Sequence, residues 1–310
     1  MTRIGNSELD VRPLNLGGNV FGWTADEATS HAVLDAFVDG GGDFIDTADV
    51  YSAWSDGGAG ISETVIGTWL AKSGKRDRVV LATKVAKKAD RPGLGAENIR
   101  KAVDESLQRL QTDRIDLYWA HQDDPGTPLE ETLGAFDELV TAGKVRAIGA
   151  SNFTGPRLER SLEVSRREGF AAYVAVQNHY NLVEREEYER DARPVAEANG
   201  LASLPYWSLA SGFLTGKYRP GNLPESARQG AAAKYLDQPR GLAVLEALDA
   251  VAAAHDAQVA SVALAWLRQQ PTVVAPIASA RTVEQLPALL ASMDLELSAD
   301  ELAALERASR

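Results

Sequence analysis

Short runs of β-branched and other apolar residues alternate along the chain with longer stretches whose apolar positions recur at helical spacing. The strand-like runs are Leu16–Phe21, Asp43–Asp46, Val79–Lys84, Ile115–His121, Val145–Ala150, Tyr173–Gln177, Leu201–Pro205 and Thr272–Pro276. Several place apolar side chains at consecutive rather than alternating positions, as parallel strands covered on both faces do. Helix-start signals fall between them. Thr24-x-x-Glu27, Thr127-x-x-Glu130 (with Pro128 at the first helical position), Thr282-x-x-Gln285 and Ser298-x-x-Glu301 each read as a capping box. Gly143 suits the position just past a helix ending at Ala142, and Pro287 weakens the helix that follows Thr282.

The pattern amounts to eight strand–helix units, with further helical periodicity at Arg240–His255 and Ala299–Ser309. That many repeats in 310 residues suit a closed (β/α)8 TIM barrel with extra helices and a C-terminal helix better than an open doubly wound sheet. No G-x-G-x-x-G follows the first strand. Gly212-Phe-Leu-Thr-Gly216-Lys217 is one residue short of a phosphate-binding Walker loop and runs into Tyr218. No linker-like segment divides the chain, so residues 1–310 read as a single barrel domain.

Composition then narrows the function. A net charge of −12 disfavours nucleic acid or an anionic membrane as the main partner, while leaving room for a local basic pocket that holds an anionic cofactor. Cysteine is absent, which removes disulfides, thiolate nucleophiles and iron–sulfur clusters. The histidines are His31, His121, His179 and His255, with no H-E-x-x-H among them, so no metal is expected. No apolar run approaches the roughly 18 residues of a membrane helix. Met1–Asn6 lacks the apolar core of a secretion signal, and a cytoplasmic location is expected.

In a barrel every strand aims its C-terminal end at one mouth, where the chemistry sits. Asp46, Lys84 and His121 end their strands; Ser151-Asn152, Gln177 and Tyr206 end or follow theirs. Singly, each has a plain explanation: a helix cap, a lysine reaching water, a hydrogen-bonded structural histidine. On one rim they form a set. Tyr51 follows Asp46 by five residues, in a loop able to fold over that rim. A free tyrosine titrates near about 10 and is a poor acid at neutral pH. The Lys84 ammonium is expected to lower that value, Asp46 to hold the ammonium, and His121 to orient a carbonyl oxygen. The set suits proton donation to a carbonyl receiving hydride and contains no nucleophile–base pair of the hydrolase kind.

Asp46-Thr-Ala-Asp-Val-Tyr51, Thr83-Lys84-Val85, Tyr118-Trp-Ala-His121-Gln-Asp123 and Gly149-Ala-Ser151-Asn152-Phe153 resemble the signature blocks of the aldo-keto reductases. Val176-Gln177-Asn-His-Tyr180-Asn181-Leu182 and Leu214-Thr-Gly-Lys217-Tyr218 extend the match in order, from about Leu14 to Leu290. The chain is also similar to the potassium-channel β-subunit-like branch of that family. The resemblance implies a (β/α)8 barrel that binds NADPH at its mouth and reduces aldehydes or ketones by direct hydride transfer, without metal. It implies a catalytic tetrad of Asp46, Tyr51, Lys84 and His121, with Tyr51 as general acid.

By the same resemblance, Gly18 and Asn19 lie at the nicotinamide, Ser151, Asn152 and Gln177 bind its carboxamide, and Tyr206 stacks on its ring. Leu209, Ala210, Ser211 and Gly212, with Lys217, wrap the pyrophosphate, and Trp207 and Ser208 before them also bind the cofactor. Ser279, Arg281 and Gln285 hold the 2′-phosphate; an arginine at a helix start is a sound anion site on physical grounds as well. Three departures are visible. Trp207-Ser208 stands where many relatives read Ser-Pro, Ser279 where they have glycine, and Ala288-Leu289 where a Glu-Asn pair often contacts adenine.

Two other functions stand beside carbonyl reduction: an NADPH-binding sensor or regulatory subunit with little turnover, and a Schiff-base lyase built on Lys84. The complete tetrad favours the reductase over the sensor, and the Ser279–Arg281 clamp has no place in a lyase. Trp23, Trp54 and Trp119 lie in or beside expected mouth segments and point to an apolar or aromatic substrate site, Trp119 serving equally well as core. The stretch Asp56–Gly60 and the loop Arg219–Gln238 are placed to shape or cover it.

Overall fold

The computed structural model describes residues 1–55 and 58–310. Strands β1 (Thr2–Arg3) and β2 (Asp10–Val11) pair antiparallel. The strands β3 (Asn15–Gly17), β4 (Phe44–Asp46), β5 (Val80–Val85), β6 (Ile115–Ala120), β7 (Val145–Ser151), β8 (Tyr173–Gln177), β9 (Ala202–Ser203) and β10 (Ile277–Ala278) form one parallel sheet in the order β10-β3-β4-β5-β6-β7-β8-β9. The segment 272–277 closes the circle. Ser203 donates its N–H to the Thr272 carbonyl at 2.7 Å, Val274 donates to Ser203 at 3.0 Å, and Asn15 donates to Pro276 at 3.1 Å. The architecture is the expected (β/α)8 barrel, with the additional helices Pro239–Ala254 and Ala299–Ala308.

The barrel interior explains its own residue choices. Trp119 from β6 projects inward and is fully buried among Ala82, Ala147, Ala175 and other small neighbours. A Cβ on Gly149 would lie 2.3 Å from the Trp119 ring, so glycine is required there, and the β7–β8 register shifts at that point. Trp119 is therefore core and does not line the mouth. At the opposite end, Ile4, Leu9 and Val11 of the β1–β2 hairpin join the same interior cluster. Gly5 takes φ +50° there because a side chain would meet the Val174 carbonyl at 2.1 Å. The barrel is thus stoppered at one end and open at the other.

Several local expectations need correction. The first barrel strand covers Asn15–Gly17 and gives way to a 3-10 turn at Gly18–Val20, which carries Asn19 to the mouth. The helix Glu27–Asp39 is capped by Asp26, whose side chain accepts from the Thr29 N–H, while the Thr24 hydroxyl has no partner. The Thr127 hydroxyl turns to Asp124 at 2.7 Å, so helix Leu129–Thr141 starts without a side-chain cap. Thr282 supplies no cap either; Gln285 instead accepts the Arg281 N–H at 2.8 Å. The Ser298–Glu301 capping box forms as expected, and Gly143 takes φ +72°. The last ladder lies at Ile277–Ala278, beyond Pro276, because proline has no N–H to give and the preceding residues bond to β9.

The C-terminal helix Ala299–Ala308 is tied to the barrel through buried Arg185. That guanidinium bonds Ser309 at 2.6 Å, pairs with Glu306 and Glu189, and lies 5.1 Å from the Trp266 ring centroid. Among the described residues no single helix is long and apolar enough to cross a membrane.

Candidate active site

Lysine, aspartate and tyrosine meet where β4 and β5 reach the open end. Asp46 and Lys84 face inward from adjacent strands and are fully buried. The Lys84 ammonium has three donors and three acceptors: the Asp46 carboxylate, the Thr47 carbonyl at 2.7 Å and the Tyr51 hydroxyl at 2.9 Å. Gln177 holds the other Asp46 oxygen at 3.0 Å. The His121 ring stands edge-on to Tyr51 with centroids 6.0 Å apart, and its Nδ1 is buried without a partner. The structure brings these four residues together at the floor of a cavity of about 750 Å³, a size typical of small-molecule sites.

Charge in this cluster follows from burial and the one ammonium. Burial pulls Lys84 down, but the Asp46 carboxylate and Tyr51 outweigh it and hold the lysine above its usual range. Burial pushes the Tyr51 phenol up by more than Lys84 pulls it down, so the net direction is opposite to that expected from the sequence. Burial, with Lys84 and Lys87 adding repulsion, drives His121 well below the usual histidine value. The resting site is therefore an ion pair flanked by a neutral phenol and a neutral imidazole.

The residues placed next to the tetrad form a connected layer. The Tyr206 hydroxyl donates to Asn152 at 2.8 Å, and Asn152 donates to the His121 carbonyl at 2.8 Å. The Ser151 hydroxyl donates to the Gln177 carbonyl at 2.9 Å. One face of Tyr206 stacks on His179 at 5.6 Å; the residue also lines the cavity. Farther out, Trp207, Ala210, Ser211 and Gly212 all adopt positive φ, curling that loop beside Lys217. Ser279 bonds Asn19 at 2.6 Å between the neighbouring ends of β10 and β3, and a Cβ on Gly17 would collide with that hydroxyl at 2.7 Å.

Asn19, Ser151, Asn152, Gln177, Tyr206, Trp207, Ser208, Leu209, Ser211, Gly212, Lys217, Ser279, Arg281 and Gln285 line the cavity; Gly18 and Ala210 do not. Gly18 lies beneath it with its carbonyl accepting from Ser62, and the Ala210 N–H is spent on the Trp207 carbonyl. Lys217 and Arg281 have no carboxylate partner among the described residues, which fits a ligand that brings phosphates. Ala288 and Leu289 also line it and give that part of the wall an apolar surface. Trp54 packs against Tyr51 and Trp23 against Trp54, and Arg228 from the loop Arg219–Gln238 lies 5.9 Å from the Trp23 ring centroid. Of the stretch Asp56–Gly60, Asp56 and Gly57 lie outside the described residues.

Sequence reasoning passed over two features. Lys87 lines the cavity three residues beyond Lys84, outside any motif. Beneath the Asp46–Tyr51 loop lies a second buried carboxylate pair: Glu63 accepts from Thr83 at 2.5 Å and Arg109 at 2.7 Å, and beside it Asp49 has an unpartnered Oδ1. Burial, reinforced by the Glu63 charge, pushes Asp49 from 3.8 to about 7. Asp49 stands within the quoted Asp46–Tyr51 block, but nothing in one dimension places Glu63 against it. The other three histidines have partners: His31 bonds Thr68, His179 bonds Asn181 and His255 bonds Glu301. No metal-binding cluster occurs among the described residues.

Comparison with known proteins agrees with this geometry. The model of the aldo/keto reductase family matches residues 13–310. The chain is 36% identical to Protein tas of Escherichia coli, over 98% of this chain and 96% of that protein. It is 36% identical to aldo-keto reductase YhdN of Bacillus subtilis, over 93% and 85%. It is 33% identical to norsolorinic acid reductase stcV of Emericella nidulans, over 96% and 78%.

Proposed function

The chain belongs to the aldo/keto reductase family, a family of carbonyl oxidoreductases that use a nicotinamide cofactor, and from this we propose that it reduces aldehydes or ketones to alcohols with NADPH. One observation carries the proposal: a buried, charge-balanced ammonium bonded to the hydroxyl of a tyrosine that faces the cavity. Bound in the cavity, NADPH supplies the hydride. Tyr51, held protonated by burial, supplies the proton to the carbonyl oxygen. Lys84 stabilises the phenolate left behind, at close range and in low dielectric. Asp46 keeps the lysine charged and aimed, and neutral His121 offers an N–H to orient the same carbonyl oxygen.

The layer Ser151, Asn152 and Gln177 suits the nicotinamide carboxamide, and Tyr206 its ring; Lys217 and Arg281 suit the phosphates. Because Gln177 also grips Asp46, seating the carboxamide is mechanically linked to the tetrad. A lyase is disfavoured, since an ammonium saturated by three acceptors and held charged is a poor nucleophile. The direct test is NADPH oxidation by the purified protein with a reactive aromatic aldehyde. Consumption of NADPH with formation of the alcohol supports the proposal. NADPH binding without turnover of any aldehyde or ketone leaves the sensor.

The arginine predicts cofactor choice. Arg281→Ala removes a charge-assisted contact worth about 1.5–3 kcal/mol, so NADPH affinity should fall at least about tenfold. NADH, which lacks the 2′-phosphate, should be affected far less. Tryptophan fluorescence titration with both cofactors measures this, and equal weakening would mean that Arg281 does not contact that phosphate.

A further inference from the structure

Four cations without a carboxylate partner among the described residues line the cavity: Lys87, Arg228 (from the loop after β9, 5.9 Å from the Trp23 ring centroid), Lys217 and Arg281. The last two come from the loops after β9 and β10, the side to which phosphates are assigned above. Lys87 comes from the loop after β5, across the mouth from them in the strand order. It belongs to the tetrad side: its charge acts on His121, and the Lys84 charge acts on it. Cofactor phosphates held by the far loops leave it unneutralised.

Among the half-buried lysines described, Lys75, Lys88 and Lys144 are paired with carboxylates and Lys87 is not. The similarly covered Lys75 and Lys88 each pair with two carboxylates, at 2.7 and 3.1 Å and at 3.5 and 3.7 Å. Lys87 has none, although acidic residues outnumber basic ones by twelve (44 against 32). Burial and Lys84 both act against its charge, and an anion brought by a ligand would compensate it. The backbone also bears a cost to put it there. Ala86, immediately before it, sits at φ +123°, a conformation that residues with a side chain avoid and that concentrates at functional sites. Beside this end of the cavity Tyr51, Trp54 and Trp23 form an aromatic wall, with ring centroids 6.1 and 5.7 Å apart in sequence.

Resting on the carbonyl-reductase reading, we propose that the substrate is an aromatic aldehyde or ketone bearing a carboxylate, with Lys87 as the residue that selects the anion. The wall receives the ring, the tetrad the carbonyl and Lys87 the carboxylate at the far end. The test compares 4-carboxybenzaldehyde with methyl 4-formylbenzoate, the same aldehyde with its charge masked, on the wild type, Lys87→Gln and Lys87→Arg, all with saturating NADPH. The expected acid-to-ester ratio of kcat/KM is at least about ten in the wild type, about one in Lys87→Gln and largely restored in Lys87→Arg, the change falling on KM. A wild-type ratio of one or less, or a ratio that survives in Lys87→Gln, overturns the proposal. Tryptophan fluorescence titration with 4-(hydroxymethyl)benzoate and its methyl ester needs no turnover. If neither aldehyde reacts, the reductase reading fails, and acid preference in that titration, lost in Lys87→Gln, still supports the anion site. Equal binding of acid and ester would overturn it.

Discussion

Phenylalanine at Tyr51 is expected to lower kcat for aldehyde reduction by about a thousandfold, within the range for removal of a positioned general acid. The substitution deletes one oxygen from a packed floor. Lys84 keeps Asp46 and the Thr47 carbonyl as acceptors, so the ion pair stays neutralised. None of the side chains assigned to the cofactor bonds the Tyr51 hydroxyl; its hydrogen-bond partner is Lys84. NADPH affinity, read by tryptophan fluorescence, should therefore stay within about twofold, a difference well under 1 kcal/mol. Loss of turnover with cofactor binding retained places the proton on Tyr51. Turnover equal to that of the parent would remove Tyr51 from the mechanism.

Asparagine at Asp49 should make the protein more stable, and only at higher pH. The carboxyl titrates near 3.8 when exposed and at about 7 in the fold, where burial and the Glu63 charge oppose its ionisation. Between those values the native state holds a proton that the unfolded chain has released. The contribution of Asp49 to stability therefore falls as pH rises from about 4 to about 7, then levels off, with an amplitude on the order of 4 kcal/mol. Asparagine has the same shape and nothing to ionise. Urea unfolding should give Asp49→Asn and parent stabilities within about 1 kcal/mol near about pH 4 and a gain on the order of 4 kcal/mol for the variant near about pH 8. Parallel pH profiles for the two proteins would show that Asp49 does not carry this penalty. A carboxylate kept at such cost two residues from Tyr51 resembles other sites where function is favoured over stability.

Strands β4 to β8 were legible because each is covered on both faces, and continuous burial writes itself as a continuous apolar run. The residue that breaks each run was the informative one. Asp46, Lys84 and His121 stand where an apolar side chain would otherwise do, and their convergence needed only the barrel. Legibility failed where a residue's partner is distant in sequence. Thr24 and Thr127 satisfy a helix-start pattern, yet Asp26 caps the first helix and Asp124 draws the Thr127 hydroxyl away from the second. The run Thr272–Pro276 reads as a strand, but its hydrogen bonds go partly to β9 and partly to β3, moving the ladder to Ile277. The fall of His121 was foreseeable from burial alone. The rise of Tyr51 was not, because a sequence shows which charge is near but not how much water is lost. Lys87 looks like any surface lysine until Ala86 turns it inward.

The closing seam has a consequence in time rather than in space. Asn15 is among the first barrel residues made, and its ladder partner Ile277 is among the last. During synthesis the incomplete sheet presents two open edges, β3 and whichever strand was finished most recently, and unpaired edges invite intermolecular pairing. Joining residues so far apart also carries a loop-closure penalty before any contact repays it, which slows the final step. Chains halted before Thr272 should thus remain protease-sensitive and aggregation-prone, and chains released well beyond Arg281 should become resistant together with acquiring the proposed NADPH affinity. Ring closure and the completion of the cavity wall that carries Ser279 and Arg281, which both depend on residues 272–281, are then one event.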